Sequence, residues 1–132
     1  MRDAAIIIMC VVVVIANLET ALKILRRVPD SNGFFFTGFS QYIGIYAVSL
    51  ADFCQKLRTV DLKSFEFHSK RGDFDNRIRT TIGDPYLANE VKKVERNFKG
   101  EQLRAALIQI VEARVNELRK ILGSDKTSIS RM

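Results

Sequence analysis

The chain has one histidine, two cysteines, two prolines and no tryptophan in 132 residues, and most of these scarcities remove a class of chemistry. His68 has no second imidazole with which to form a metal pair. Cys10 and Cys54 stand far apart and make no CxxC motif, which fits a reducing compartment, and so the cytoplasm, better than a disulfide framework. No GxxxxGK loop is present to cradle phosphate, and no serine sits in a nucleophile elbow. These absences argue strongly against the common hydrolases and nucleotide-binding enzymes, and less strongly against an enzyme built on carboxylates alone. The chain therefore reads as a non-enzymatic protein with no cofactor and no metal. Internal repeats and long linkers are also missing. At 47% hydrophobic and 27% charged, the composition is that of one folded domain with a real core.

What the chain does have is aromatic residues in one place and a surplus of positive charge. Ten of the twelve Phe and Tyr residues lie between Phe34 and Phe74. They fall in stretches that alternate like strands, Phe34-Phe35-Phe36, Gln41 to Tyr46, and Ser64-Phe65-Glu66-Phe67-His68. Lys and Arg number 21 against 15 Asp and Glu, a formal net charge of +6 with a pI near 9.6. Rings on strands with cations at their edges suit an unpaired nucleic-acid strand, because bases stack on rings while Lys and Arg follow phosphates. The charges are interleaved, however, and a merely solvated surface explains them equally well.

Ala4 to Ala16 is an uninterrupted apolar run of thirteen residues, short for a bilayer span of roughly 20. Three readings stay open: a buried element of the fold, a membrane anchor or signal segment, and a start placed too far upstream. An anchor is not favoured, since Arg2 followed by Asp3 leaves almost no positive flank. Asn17 is the expected cap of a short helix reaching Arg27 and stopped by Pro29. Residues 1–27 thus form an apolar segment with a short helix, 28–123 a single domain, and 124–132 a polar tail.

Within the domain, Phe34 to Thr37 and Tyr42 to Val48 read as a hairpin turning through Gly38-Phe39-Ser40-Gln41. Ser49 starts a helix with Asp52 answering as an acidic capping box, and Leu50, Phe53, Leu57 and Val60 form its inner face. Lys63 to Ser69 reads as a third strand, with Phe65 and Phe67 on one side and Glu66 and His68 on the other. Gly72-Asp73 turns into a short helix carrying Phe74, Ile78 and Ile82, which Gly83 ends. Asp84-Pro85 opens another helix, lined by Leu87, Val91, Val94 and Phe98. The last and longest helix runs from Glu101 to Leu122, closed by Gly123. The expected class is α+β: a small antiparallel sheet of three to four strands packed with several helices, ending in a long amphipathic C-terminal helix.

The candidate nucleic-acid-binding residues are Phe35, Tyr42, Tyr46, His68, Lys70, Arg71, Arg77 and Arg79. Alternation puts Ile43, Ile45 and Ala47 on the core face of their strand and Tyr42, Gly44 and Tyr46 on the other, with Phe35 beside them across the hairpin. A covering helix is the competing reading of that face. For His68, a hydrogen bond to a neighbouring carboxylate such as Asp73 competes with a nucleic-acid contact, and acid/base chemistry is the weakest reading. Arg71-Gly72-Asp73 spells an adhesion tripeptide but is explained by a turn and a cap. Lys92, Lys93, Arg96 and Lys99 form a second cluster, diluted by Glu90 and Glu95. Ile110, Val111, Leu118 and Leu122 are the candidate oligomer interface, a zipper-like seam for a homodimer or higher even-numbered assembly. The alternative is that this stripe covers the domain's own sheet.

Val28-Pro29, Phe34-Phe35-Phe36-Thr37-Gly38, Gly44, Ala47, Ser49-Leu50, Phe53 and Leu57 also form a pattern. It continues through Val60-Asp61, Ser64, Glu66-Phe67-His68, Arg71-Gly72-Asp73-Phe74, Ile78, Gly83-Asp84 and Leu87-Ala88. Over most of 28–122 this resembles a group of small archaeal proteins. In organisation it is similar to the ThermoDBP-type single-stranded DNA-binding proteins, with an aromatic-bearing small sheet and a zipper-like C-terminal helix. The resemblance implies sequence-tolerant binding of single-stranded DNA or RNA. One departure matters: Arg77 stands where such sequences lead us to expect a Trp, so a cation replaces a stacking ring. A protein-interaction or scaffold module assembling through the C-terminal helix is the second reading, and a membrane-tethered domain the third.

Overall fold

A computed structural model describes the backbone of residues 17–38 and 41–130, and the side chains within those spans except at 41–43 and 124–130. The expectations for residues 1–16, for the Phe39-Ser40 turn and for the Tyr42 ring lie outside what is described. Asn17 is itself helical, and the first helix, α1, continues to residue 25. Ala21, Ile24 and Val28 face the core. Val28 N–H donates to the Val48 carbonyl at 2.7 Å, tying the chain after α1 to the end of the hairpin.

The hairpin consists of β1 (Phe34–Gly38) and β2 (Gln41–Ala47), paired antiparallel with Phe35 opposite Tyr46 and Phe36 opposite Ile45. The register slips between Phe36 and Thr37, where β2 carries extra residues and Gly44 adopts a left-handed φ of 85°. Such a bulge bends the strand and re-aims its side chains. At the hairpin foot, Gly33 lies so close to β2 that a Cβ there would sit 2.9 Å from the Ala47 carbonyl oxygen.

These two strands are the whole sheet among the described residues, so the fold is mostly helical rather than a three- or four-stranded α+β domain. The segment expected as a third strand is α3 (Leu62–Arg71), closed by Gly72 in the left-handed conformation with its N–H bonded back to the His68 and Ser69 carbonyls. Phe65 and Phe67 alternate as a strand would, but the side chains that go inside are Ser64, Phe65 and His68, spaced three and four apart. Two of those three are polar. The helical period was therefore invisible to a search for apolar residues, although both polar groups are hydrogen-bonded within the fold.

The remaining helices follow their punctuation. Ser49 caps α2 (Leu50–Thr59), its hydroxyl accepting from the Asp52 amide at 3.1 Å, while the Asp52 carboxylate accepts from Val48 N–H. After α4 (Asp73–Arg77) comes a π-helical turn (Ile78–Ile82), ended by Gly83 in the left-handed conformation. Asp84 caps α5 (Pro85–Asn97), accepting from the Leu87 amide. Phe98, expected on the inner face of α5, lies past the helix end in extended backbone and is exposed. α6 (Gly100–Ser130) runs on through Gly123 instead of stopping there. A lone glycine costs about 1 kcal/mol within a helix and does not oblige it to end.

α6 packs against α2 and α5. Leu103, Leu107, Val111, Val115 and Leu118 are all buried in that contact, so the stripe covers the domain's own helices, where a sheet had been expected. Val111 and Leu118, two of the four candidate interface residues, are already committed to this core. Ile110, Ile121 and Leu122 are half-buried at its border. A second tie joins α6 to the start of α5. Arg114 grips Asp84 with Nε at 2.7 Å and Nη2 at 3.2 Å, and Asp84 is only 1% exposed. No helix among the described residues is long and apolar enough to cross a membrane.

Leu118→Ala should lower the free energy of unfolding by about 2–5 kcal/mol, whereas Leu22→Ala, on the exposed face of α1, should stay within about 0.5 kcal/mol. Urea titration of both variants checks the difference. Arg114→Met strands a buried carboxylate and should cost about 3–5 kcal/mol in the same assay, with a loss under 1 kcal/mol showing that Asp84 re-solvates instead.

Candidate nucleic-acid interface

Among the described side chains, two rings face outward on the hairpin. Phe35 and Tyr46 are 40% and 37% exposed, and their centroids lie 5.3 Å apart at an interplanar angle of 23°. They meet because they are directly opposed in the ladder, the closest cross-strand relation a sheet offers. On the inward face Phe36 is buried, with Phe34 packed at 4.9 Å from it and 5.5 Å from both Phe53 and Phe74. The alternation read from sequence thus holds for residues 45–47, with Tyr46 outside and Ala47 inside.

A groove runs beside Tyr46, lined by Arg27, Gly44, Ile45, Val48, Asp52 and Lys56. Gly44 leaves open space where a side chain would stand, so a ligand can approach the backbone there. Arg27 pairs with Asp30 at 2.7 Å and Lys56 with Asp52 at 2.7 Å. The well-exposed Arg27–Asp30 pair contributes about 0.2–1 kcal/mol, little enough for an incoming phosphate to exchange with the carboxylate, while the Lys56–Asp52 pair is part-buried. Sequence reasoning missed both cations. The one available clue was the Ser49 cap, which fixes α2 at the end of β2 and brings Lys56, one turn after Asp52, back toward the hairpin.

The four cations that were expected together are separated. Arg77 donates through Nη2 to the Asn32 carbonyl at 2.9 Å and the Gly33 carbonyl at 2.6 Å, bracing the hairpin foot. Arg71 lies over the Phe67 ring at 5.0 Å and 3.5 Å from Asp73. Arg79 reaches Asn89 at 2.6 Å and Asp75 at 3.6 Å. Lys70 is exposed at a different groove, shared with Glu66, Phe98 and Lys99. Other arginines are also occupied internally: Arg26 donates to the Thr81 and Ile82 carbonyls, and Arg104 to those of Leu57 and Val60. Much of the positive charge therefore terminates helices and loops.

His68 is 4% exposed, among Phe34, Phe36, Phe67 and Phe74. Thr37 N–H donates to its Nε2 at 3.0 Å, which leaves the ring proton on Nδ1, donated to Asp73 at 2.8 Å. Ser64 Oγ donates to the Thr37 carbonyl at 2.7 Å. Burial pushes the His68 pKa below its ordinary 6.5, more than Asp73 raises it. Its place is beneath the hairpin, away from any strand lying on Phe35 and Tyr46.

Because the folded state holds His68 neutral at a pH where the unfolded chain already binds a proton, its contribution is complete above about pH 6.5 and is lost as pH falls toward the depressed folded value. Wild type should therefore lose melting temperature relative to His68→Gln on acidification from about pH 7.5 to 5, a difference read by calorimetry. Parallel curves would mean that the ring protonates without disturbing Thr37. Comparison of the chain with protein-family models, curated proteins and solved structures found no match, so a functional reading rests on this geometry and on the sequence pattern.

Proposed function

We propose that this chain is a sequence-tolerant single-stranded nucleic-acid-binding protein that performs no chemistry, with the outer face of the hairpin as its contact surface. The observation that carries the reading is the exposed, stacked pair of Phe35 and Tyr46 beside the groove holding Arg27 and Lys56. A ring pair on a braced hairpin offers flat apolar area at fixed height, and every base has a face to lay on it. Arg27 and Lys56 stand where a sugar-phosphate backbone leaving that platform would run, and Gly44 lets it come close. Val111 and Leu118 are buried in the domain's own core and offer no seam to a second copy.

Fluorescence anisotropy with a labelled oligothymidine and a duplex of equal length tests this. Single strands should bind more tightly than duplex, and affinity should fall as salt rises because phosphate contacts release counterions. Removing the rings with Phe35→Ala and Tyr46→Ala should cost about 1–3 kcal/mol per stacked base without unfolding the domain. Arg27→Gln with Lys56→Gln should flatten the salt dependence by about two phosphates' worth. Equal affinity for duplex, or unchanged binding in the double ring variant, overturns the proposal.

A further inference from the structure

α2 borders two grooves, the one beside Tyr46 and a second, of about 280 Å³, on its α6 side. Each helix lines this second groove with a row at i, i+4 and i+7, which is one face of a helix: Ala51, Gln55 and Arg58 from α2, and Glu112, Asn116 and Arg119 from α6. Cys54 and Val115, both buried, form its floor. Two guanidinium groups stand in the walls. Arg119 is exposed and makes no ion pair or hydrogen bond among the described residues, unlike Arg26, Arg77, Arg104 and Arg114, which are engaged within the fold. Arg58 pairs with Glu112, with both side chains about half exposed, and such a solvated pair contributes about 0.2–1 kcal/mol. A phosphate reaching Arg119 has no carboxylate to displace there among the described residues, and at Arg58 it exchanges with one. Gln55 and Asn116 each present an amide with donors and an acceptor, which suits the edge of any base without selecting one.

The exposed surface of α2 joins the two grooves. At 3.6 residues per turn, Asp52 and Lys56 face the hairpin, Ala51 and Arg58 face α6, and Gln55 and Thr59, both exposed, lie on the arc between them. A helix is about 10–12 Å across with its side chains, so a strand leaving Tyr46 past Lys56 crosses one helix to reach Arg58 and Arg119. We infer, on the reading that the hairpin face binds a single strand, that the α2–α6 groove is a second subsite for that strand, taking the phosphates and bases that follow those at the hairpin. A strand too short to cross α2 occupies the hairpin alone. A longer one engages both grooves and gains affinity through the effective concentration of its second half, with Glu112 competing against phosphate for Arg58.

Titration of the full chain with oligothymidines of about 5 and about 15 nucleotides, followed by amide NMR shifts, tests this. The short strand should move Gly44 and Tyr46, and the long one should also move the side-chain amides of Gln55 and Asn116. For the long strand, Arg58→Gln with Arg119→Gln should flatten the slope of log affinity on log salt by about 1.4, at about 0.7 per phosphate, and leave the short strand's affinity unchanged. Glu112→Gln should tighten the long strand by up to about fivefold without affecting the short one, a gain that loss of a merely structural ion pair does not produce. Shifts confined to the hairpin with the long strand overturn the second subsite and leave the hairpin reading intact. Shifts at Gln55 and Asn116 with the short strand, or with inorganic phosphate alone, make the groove an independent anion site and also overturn it. No shift at Gly44 and Tyr46 with either strand overturns the hairpin reading, and the second subsite with it. The NMR titration needs no variant, so it decides the question even where a substitution disturbs folding.

Discussion

A two-stranded hairpin is marginally stable in water by itself, and the pair of hydrogen bonds that α3 makes to Thr37 is what this one depends on. His68 accepts the Thr37 N–H and Ser64 donates to the Thr37 carbonyl. Both bonds fall at the register slip, where the ladder cannot satisfy every backbone group of the bulged segment. A helix thus supplies from its side chains what a third strand would have supplied from its backbone. The Phe34, Phe36, Phe53 and Phe74 cluster closes over this contact and keeps water from competing for it. With the inward face fixed, the opposite face of the hairpin has its height and orientation set, and Phe35 and Tyr46 stand outward as a consequence.

The distribution of charge follows from the same economy of a small fold. With many short elements, a 132-residue chain has many helix ends and loop carbonyls to satisfy. Arg26, Arg77 and Arg104 each reach two or more carbonyls, and Arg114 neutralises the buried cap Asp84. Guanidinium suits this work because it presents several donors in a fixed fork. The basic composition is therefore a poor guide to a binding surface, and among the described residues the groove beside Tyr46 is basic through two side chains, Arg27 and Lys56.

α4 is the element on which the ionisable groups converge. It is five residues long, too short to be stable as an isolated helix, and is held by Phe74 in the core and by carboxylates on either flank. Asp73 accepts from a histidine whose burial disfavours its charged form, and Asp75 lies against Arg79 at 3.6 Å. Short elements held by a few polar contacts are those that open at the smallest free-energy cost.

By itself the sequence determined the elements whose ends carry their own chemistry. Ser49 with Asp52, Asp84 with Pro85, and Gly83 each fix a boundary through local hydrogen bonds or backbone preference, and the outward place of Tyr46 follows from the period of a strand. The α6 stripe was legible as apolar, but its partner was not, because periodicity says that a face is buried and not what buries it. Only tertiary structure decided that Lys63 to Ser69 is helical. There Phe65 and Phe67 offered a strand, while Ser64 and His68 were turned inward by Thr37, a residue more than twenty positions earlier. The same holds for the scattering of Lys70, Arg71, Arg77 and Arg79, and for the approach of Arg27 and Lys56 to Tyr46. A side chain's place on its own element is written locally, but its neighbours are chosen by which elements pack together, and that is settled by the folded chain as a whole.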